Sequence, residues 1–216
     1  MIMNKNKTMK RIGWGIMTFL AMGIVLYAAK YFSFNPDVFF PQQREVYLAH
    51  ETGIIIHIIG GVLALGLGPF QFLNRFRSRY PKVHRWMGRL YLFGIALGGI
   101  AGLYMAFYAY AGIAASLGFA SLALLWLATG TMAYRTIRAG DISRHREWMI
   151  RNFALTFAAV TLRIWMMPLT IVFGGELGYE IAAWICWLPN LFVAEAIIRG
   201  RIRFQRNSAG IQEFVS

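Results

Sequence analysis

The chain has 216 residues, of which 58% are hydrophobic and only 14% are charged. A soluble domain carries about 25% charged residues, so the composition excludes an ordinary soluble domain and indicates that lipid covers much of the apolar surface. The formal net charge of +13 comes from short basic clusters between long apolar runs, which argues against a nucleic-acid partner and is typical of a membrane protein.

Six apolar stretches are long enough to cross a bilayer, because a helical span needs about 20 mostly apolar residues. The sequence therefore predicts an all-α fold, a polytopic membrane bundle of transmembrane helices that form a single domain. We expect a four-helix core over about residues 47–173, with the first and last spans packed outside it. In chain order the predicted spans are 14–32, 47–72, 86–110, 111–134, 148–173 and 177–198.

The basic residues of the predicted tails and loops cluster on one side of this arrangement. Lysines and arginines crowd into 5–11, 75–89, 135–151 and 199–206, whereas the opposite loops carry only Lys30 and Arg44. Cytoplasmic loops of membrane proteins are enriched in Lys and Arg. The pattern therefore predicts a multi-pass protein of the cytoplasmic (cell) membrane with both termini in the cytoplasm.

Two similar motifs indicate an internal repeat. HRWMGR at 84–89 opens the third span, and HREWMIR at 145–151 opens the fifth, each after an apolar span and a basic turn. We expect spans two and three to be repeated by spans four and five in the same, parallel orientation, which is a known way of building membrane proteins. Gly94, Gly98 and Gly102 recur every four residues on the third span, and this spacing predicts close helix packing there.

Three parts of the sequence carry a resemblance to a known family. They are GLGPFQF at 66–72, HRWMGR at 84–89, and HREWMIR at 145–151 followed by AAVTLR at 158–163. Together they are similar to a family of predicted membrane proteins known as domain of unknown function 2306, over about residues 57–163. The resemblance implies a polytopic, bacterial-type membrane protein and implies no particular reaction.

His84 and His145 are the first candidates for a site. They begin two spans at similar depth on helices that the repeat makes neighbours, so they could ligate the iron of one haem b from both sides. Guanidinium groups nearby could pair with the haem propionates. The alternative is an interfacial anchor, with arginine at the lipid phosphates and tryptophan at headgroup level. The arginines concerned are Arg85, Arg89, Arg146 and Arg151.

A second candidate site lies deep in the opposite half of the membrane. Arg163 lies about 24 Å into the fifth span at about 1.5 Å per residue, and His57 and Tyr104 lie at comparable depth on other spans. A charge at this depth costs about 2.5–3.5 kcal/mol and normally faces the bundle interior with a partner. These residues are predicted to bind a quinone head group or an anionic small molecule. In the alternative, Arg163 snorkels to the interface or binds backbone carbonyls.

Different functions remain compatible with these sites. The first is a haem- or quinone-associated redox protein, which the histidine pair favours. The second is a small transporter or binding protein for an anionic molecule or lipid, supported by the repeat, by Arg163, and by Pro168 and Pro189, which are expected to break spans five and six. The third is a non-catalytic accessory subunit. Whether the protein is an enzyme, and its oligomeric state, are left open by the sequence.

Overall fold

A computed structural model describes residues 2–33 and 35–213, with side chains described for 8, 9, 11–33 and 35–200. Within these residues the fold is helical and contains no strand. Three short 3-10 segments connect the first two long helices, at Ala29–Ser33, Pro36–Val38 and Pro41–Gln43. The α-helices are α1 Ile2–Ala28, α2 Arg44–Ala49, α3 Glu51–Gln71, α4 Asn74–Arg79, α5 Pro81–Ala106, α6 Ile113–Arg138, α7 Ile142–Thr156, α8 Ala158–Phe173, α9 Gly175–Ile185 and α10 Leu188–Glu213.

Six helical segments in the described part of the chain are long and apolar enough to cross a membrane. The predicted all-α membrane fold is therefore confirmed. The second span starts later than predicted, because α2 ends at Ala49 and α3 begins only at Glu51, after His50. The third starts earlier, at Pro81, where the fixed φ of proline suits the first turn of a helix. The spans are Arg11–Ser33, Glu51–Gln71, Pro81–Ala106, Ile113–Arg138, Ile142–Phe173 and Gly175–Gly200.

Glycines bring α3 and α5 into backbone contact. A Cβ atom built on Gly60 of α3 would lie 2.3 Å from the nitrogen of Gly98 and 2.4 Å from the carbonyl oxygen of Gly94. No side chain fits in such a gap, so only glycine allows this approach. The close packing predicted from the glycine spacing on the third span is confirmed.

The helices pair as two hairpins, α3 with α5 and α6 with α7. This pairing is what the predicted repeat requires, and the repeat itself stays a prediction. The largest buried cluster takes side chains from both hairpins and also includes Cys186 and Trp187 of the sixth span. The sixth span therefore contributes to the same core as the two hairpins.

The first span packs against α3 and α8 through a small cluster of Ala21, Leu65 and Val160. The indole nitrogen of Trp14 also donates a hydrogen bond to the carbonyl of Pro69 at 3.0 Å. Within an apolar stretch of 18 residues, 11% of this span is buried by the rest of the protein, against 22–44% for the other spans. Most of its surface is therefore available to lipid.

A buried hydrogen-bond network joins α5, α6 and α7 at the centre of the bundle. The Tyr91 hydroxyl donates to Asn152 Oδ1 at 2.7 Å, and the Asn152 amide donates to the Trp126 carbonyl at 2.8 Å and to Thr129 Oγ1 at 2.9 Å. The Trp126 indole donates to Thr156 Oγ1 at 2.8 Å. Such bonds between membrane helices fix which faces meet, because an unpaired polar group in hydrocarbon is costly.

The fifth and sixth spans are each broken within the membrane. The fifth changes from α7 to α8 at Phe157, and the sixth changes from α9 to α10 after Cys186. The Asn190 amide bridges the two breaks, donating to the carbonyls of Ala154 at 3.1 Å and Cys186 at 3.0 Å. The Thr161 hydroxyl also donates to the Cys186 carbonyl. Polar side chains thus satisfy backbone groups beside both breaks, as membrane burial requires.

The proline positions predicted only one of these breaks. Pro189 is the second residue of α10, directly after the break in the sixth span. Pro168 lies inside α8, which continues to Phe173, so the prediction that it breaks the fifth span is wrong. A membrane helix tolerates an internal proline where neighbouring groups satisfy the freed carbonyl.

Candidate functional site

A cavity of about 260 Å³ lies inside the bundle, on the side opposite the basic loops. Its walls come from α3, α5, α6, α7 and α8. Residues of the segment before α3 and of α9 close the end that lies farthest from the basic loops. Both helix breaks border it, through Thr156 and Ala158 on one side and Cys186 on the other. Irregular backbone at membrane depth is expected to line a cavity of this kind. Its aromatic walls are Tyr31, Tyr47, Phe119, Trp126 and Tyr179.

His57 reaches the cavity from α3. Its Nδ1 lies 2.8 Å from the carbonyl oxygen of Gly98 on α5. A carbonyl can only accept, so Nδ1 carries the proton, and Nε2 of the neutral ring remains a hydrogen-bond acceptor. Gly102 leaves room for the ring, since a Cβ built there would lie 2.6 Å from Nδ1. The glycines of α5 therefore both position the imidazole and fix its tautomer.

Arg163 reaches the same cavity from α8. Its Nη1 donates to the carbonyl of Ala159 at 2.7 Å, and its guanidinium carbon lies 5.5 Å from the ring centre of Tyr27 on α1. Among the described side chains, the ion pairs found do not include Arg163. One N–H thus binds a backbone carbonyl, as in the alternative in which Arg163 only satisfies carbonyls. The guanidinium also borders the cavity beside His57, and none of the described carboxylates pairs with it.

Tyr104 does not join these two residues. Its hydroxyl lies 2.7 Å from His50 Nδ1, and the residue is 44% exposed along a separate groove beside Glu51. Tyr104 follows Gly102 by two residues, which turns it about 200° around α5 at 3.6 residues per turn. Counting residues along the span therefore predicted the depth of Tyr104 in the membrane, but Tyr104 lies on a face of α5 that points away from the cavity.

Several residues of the cavity were missed by sequence reasoning. Gln43 and Tyr47 come from the segment before α3, and Tyr179 comes from α9. Burial raises the pKa of the Tyr47 phenol above its ordinary value, so its hydroxyl stays protonated. Thr156 had a usable signal, because it follows Asn152 by one helical turn and places two polar side chains on one face of an apolar span.

The structure brings His84 and His145 together at the end of the bundle that carries the basic loops. Their imidazoles are within electrostatic range of each other. His145 Nδ1 lies 2.8 Å from the Ala133 carbonyl, whereas His84 Nδ1 is buried without a hydrogen-bond partner among the described residues. The haem that this pair was predicted to ligate stays a prediction.

The arginines near this pair are engaged to different degrees. Arg151 donates two hydrogen bonds to Glu195, at 2.5 and 3.1 Å. Arg85 donates to the carbonyl of Pro81 at 3.3 Å, and the Arg89 guanidinium lies 4.9 Å from the Trp86 ring centre. Arg146 lies within electrostatic range of His145. Among these arginines, Arg151 is the one held by a carboxylate, so a ligand there would compete with Glu195.

A metal site other than a haem would need a group of the side chains that commonly bind metal ions. Within the described residues, no group of three or more His, Cys, Asp or Glu side chains could hold a metal ion. A haem iron between His84 and His145 would need only these two side-chain ligands.

Comparison with known proteins identifies the family. The model of the family described as "Predicted membrane protein (DUF2306)" matches residues 54–198. The match covers more than half of the chain, so the chain belongs to this family and the resemblance seen in the sequence is confirmed. No curated protein and no solved structure matches the chain.

Proposed function

We propose that this DUF2306 membrane protein binds an amphipathic molecule whose head carries carbonyl or acidic oxygens, with a quinone ring as the best fit. The binding site is the cavity between His57 and Arg163. The observation that carries the proposal is the guanidinium of Arg163, which borders a membrane-embedded cavity and lacks a carboxylate partner among the described residues.

The charge of Arg163 explains why an oxygen-bearing ligand is favoured. A guanidinium at membrane depth is costly unless a partner satisfies it. Its remaining N–H groups form a planar fork that suits two oxygens or a single electron-rich carbonyl. A ligand oxygen at this position would offset the cost that the protein leaves uncompensated.

His57 adds the complementary group. With Nδ1 bonded to Gly98, its Nε2 can accept a hydrogen bond from a hydroxyl. A ring that carries a carbonyl on one side and a hydroxyl on the other would therefore meet a donor at Arg163 and an acceptor at His57. Quinones and their reduced forms have this pattern, and so does a protonated carboxylic acid.

The size and the walls of the cavity support a ring-shaped head group. Its volume of about 260 Å³ is below the 300–1,000 Å³ that is roughly typical of pockets for drug-sized ligands. Aromatic side chains on several sides favour stacking with a flat ring. Arg163 and Tyr27 are both exposed at the rim between α1 and α8, so an apolar tail could lie in the surrounding lipid.

A second candidate is the binding or transport of a small carboxylate. The specific observation that favours it is the pair of broken spans beside the cavity, since broken helices commonly form the substrate sites of transporters. The redox form of the first candidate additionally requires the predicted haem of His84 and His145. A difference spectrum, reduced minus oxidised, of protein from haem-replete cells tests that requirement.

Binding measurements on the purified protein in nanodiscs test the proposal. A short-tailed quinone and a medium-chain fatty carboxylate are titrated separately, with tryptophan fluorescence as the readout. Charged hydrogen bonds contribute about 1.5–3 kcal/mol, so Arg163→Gln should weaken binding roughly 10- to 100-fold. Arg163→Lys should also weaken it, because lysine keeps the charge and loses the planar fork.

Arg199→Gln is the matched control, since Arg199 is exposed near the end of the sixth span and should bind like the wild type. Quinone binding that is stronger than carboxylate binding supports the first candidate, and the reverse order supports the second. If Arg163→Gln binds both probes as the wild type does, Arg163 serves only the Ala159 carbonyl and the proposal fails.

A further inference from the structure

Four basic side chains lie near one another at the end of the bundle that carries the basic loops. Arg77 lies within electrostatic range of Arg146 and of His84, and His145 lies within range of both His84 and Arg146. Burial and the neighbouring Arg146 lower the pKa of the Arg77 guanidinium. Arg77 also donates to Asn74 Oδ1 at 3.0 Å, and His145 Nδ1 lies 2.8 Å from the Ala133 carbonyl. The side chains whose charges act on this cluster are bases, so their charges repel one another when protonated.

The nearby acidic side chains are occupied elsewhere. Asp141 accepts a hydrogen bond from the Arg144 backbone nitrogen at 2.9 Å and lies 3.5 Å from its Nε. Glu147 lies 3.9 Å from Arg151. A cluster of bases whose acidic neighbours pair with other residues is suited to an external anion.

Two buried polar atoms at this end lack hydrogen-bond partners among the described residues, Nδ1 of His84 and Nε2 of Gln71. Gln71 is only 7% exposed. Its amide packs on α5 at Gly88, one turn beyond His84, since a Cβ built on Gly88 would lie 3.8 Å from Gln71 Oε1. An unpaired buried polar atom is costly, so both atoms indicate a partner that the described residues do not supply.

Helix ends add to the positive potential. His84 lies in the first turn of α5, whose N-cap residue, Tyr80, makes no side-chain hydrogen bond to the helix. The N-terminus of a helix carries a partial positive charge and free backbone N–H groups, which favour anions. The helix end supports the site and would not define one without the basic cluster and the unpaired atoms.

We infer that His84, His145, Arg77, Arg146 and Gln71 form a binding site for a phosphate group. Every member is a cation or can donate a hydrogen bond, which suits an anion. Phosphate offers several acceptor oxygens and up to two charges, which matches a site with several donors better than a single carboxylate does. The phosphate belongs either to the headgroup of an anionic lipid or to a soluble compound. This inference is independent of the cavity at His57 and Arg163.

Titration of the protein in phosphatidylcholine nanodiscs tests the site. The probes are inorganic phosphate and a short-chain phosphatidic acid, added separately and followed by calorimetry and by the melting temperature. Loss of one charged hydrogen-bond donor should weaken binding about tenfold or more in Arg77→Gln. Arg138→Gln removes an equal charge from the exposed end of α6 and should stay within about twofold of the wild type.

The outcomes separate the sources of the phosphate. Binding of both probes supports a site for the phosphate group itself, and binding of phosphatidic acid alone supports a lipid headgroup. The inference is overturned if neither probe binds, or if Arg138→Gln loses as much affinity as Arg77→Gln, which indicates diffuse attraction. A Soret band that disappears in both His84→Ala and His145→Ala also overturns it, because haem would then occupy the histidines.

Discussion

Gly60 and Gly61 are adjacent residues of α3 with opposite surroundings. A Cβ on Gly60 would collide with the α5 backbone, whereas a Cβ on Gly61 would meet nothing within 4 Å. Gly60→Ala should therefore force α3 and α5 apart and destabilise the protein by about 1–3 kcal/mol, the usual cost of overpacking. Gly61→Ala should be neutral or stabilising, because alanine is the better helix former by about 1 kcal/mol. Thermal unfolding in detergent, followed by circular dichroism, measures both. Equal losses in the two variants would contradict the described helix contact.

Some residues of the cavity could be predicted from the sequence and others could not. Arg163 and His57 could be identified because a charge and an imidazole stand out in apolar spans. Tyr104 was grouped with them on depth alone, yet it faces His50. Gln43 and Tyr179 gave no signal, because they enter the cavity from a connecting segment and from the sixth span. Depth follows from counting residues, whereas direction depends on how helices rotate against one another.

At the scale of helices, one amide bridges the breaks in the fifth and sixth spans. Asn190 donates to Ala154, Cys186 and Thr161. Hydrogen bonds between membrane helices contribute about 0.6 kcal/mol on average and up to about 1.7 kcal/mol. Asn190→Ala should therefore lower the free energy of unfolding by about 1–2 kcal/mol and weaken ligand binding in the adjacent cavity. Unfolding by a denaturing detergent in mixed micelles measures the change in stability, and the binding titration measures the change in affinity.

Thr131→Ala is the control for Asn190, since the Thr131 hydroxyl bonds only the Leu127 carbonyl of its own helix in the described contacts. If Thr131→Ala lowers the free energy of unfolding as much as Asn190→Ala does, the hydrogen bonds of Asn190 between the two spans contribute no more than a bond within one helix. The sequence located the break at Pro189 because proline starts helices readily. It did not locate the break at Phe157, where no proline or glycine is present and hydrogen bonds with another span replace the helical ones.

For the whole molecule, the number of spans followed from composition and length, because hydrocarbon thickness sets how many apolar residues a helix needs. The orientation is a separate prediction that rests on the basic loops. Reporter fusions at Asp37, Gly112 and Gly175 should behave as exported. Fusions at Ser78, Asp141 and Ser216 should behave as cytoplasmic, although Ser216 lies outside the described residues. A cytoplasmic signal at Gly112 would contradict the arrangement, because that residue lies between α5 and α6.

The exposed rim formed by Arg163 and Tyr27, beside the sparsely buried first span, has a consequence for how affinity is measured. A molecule that reaches the cavity through this rim arrives from the hydrocarbon and not from water. Its effective concentration is then the amount dissolved per volume of bilayer, which exceeds the aqueous concentration by the partition coefficient. An apparent dissociation constant expressed per litre of water would therefore change with the lipid-to-protein ratio, while the value expressed as a mole fraction in lipid would remain constant.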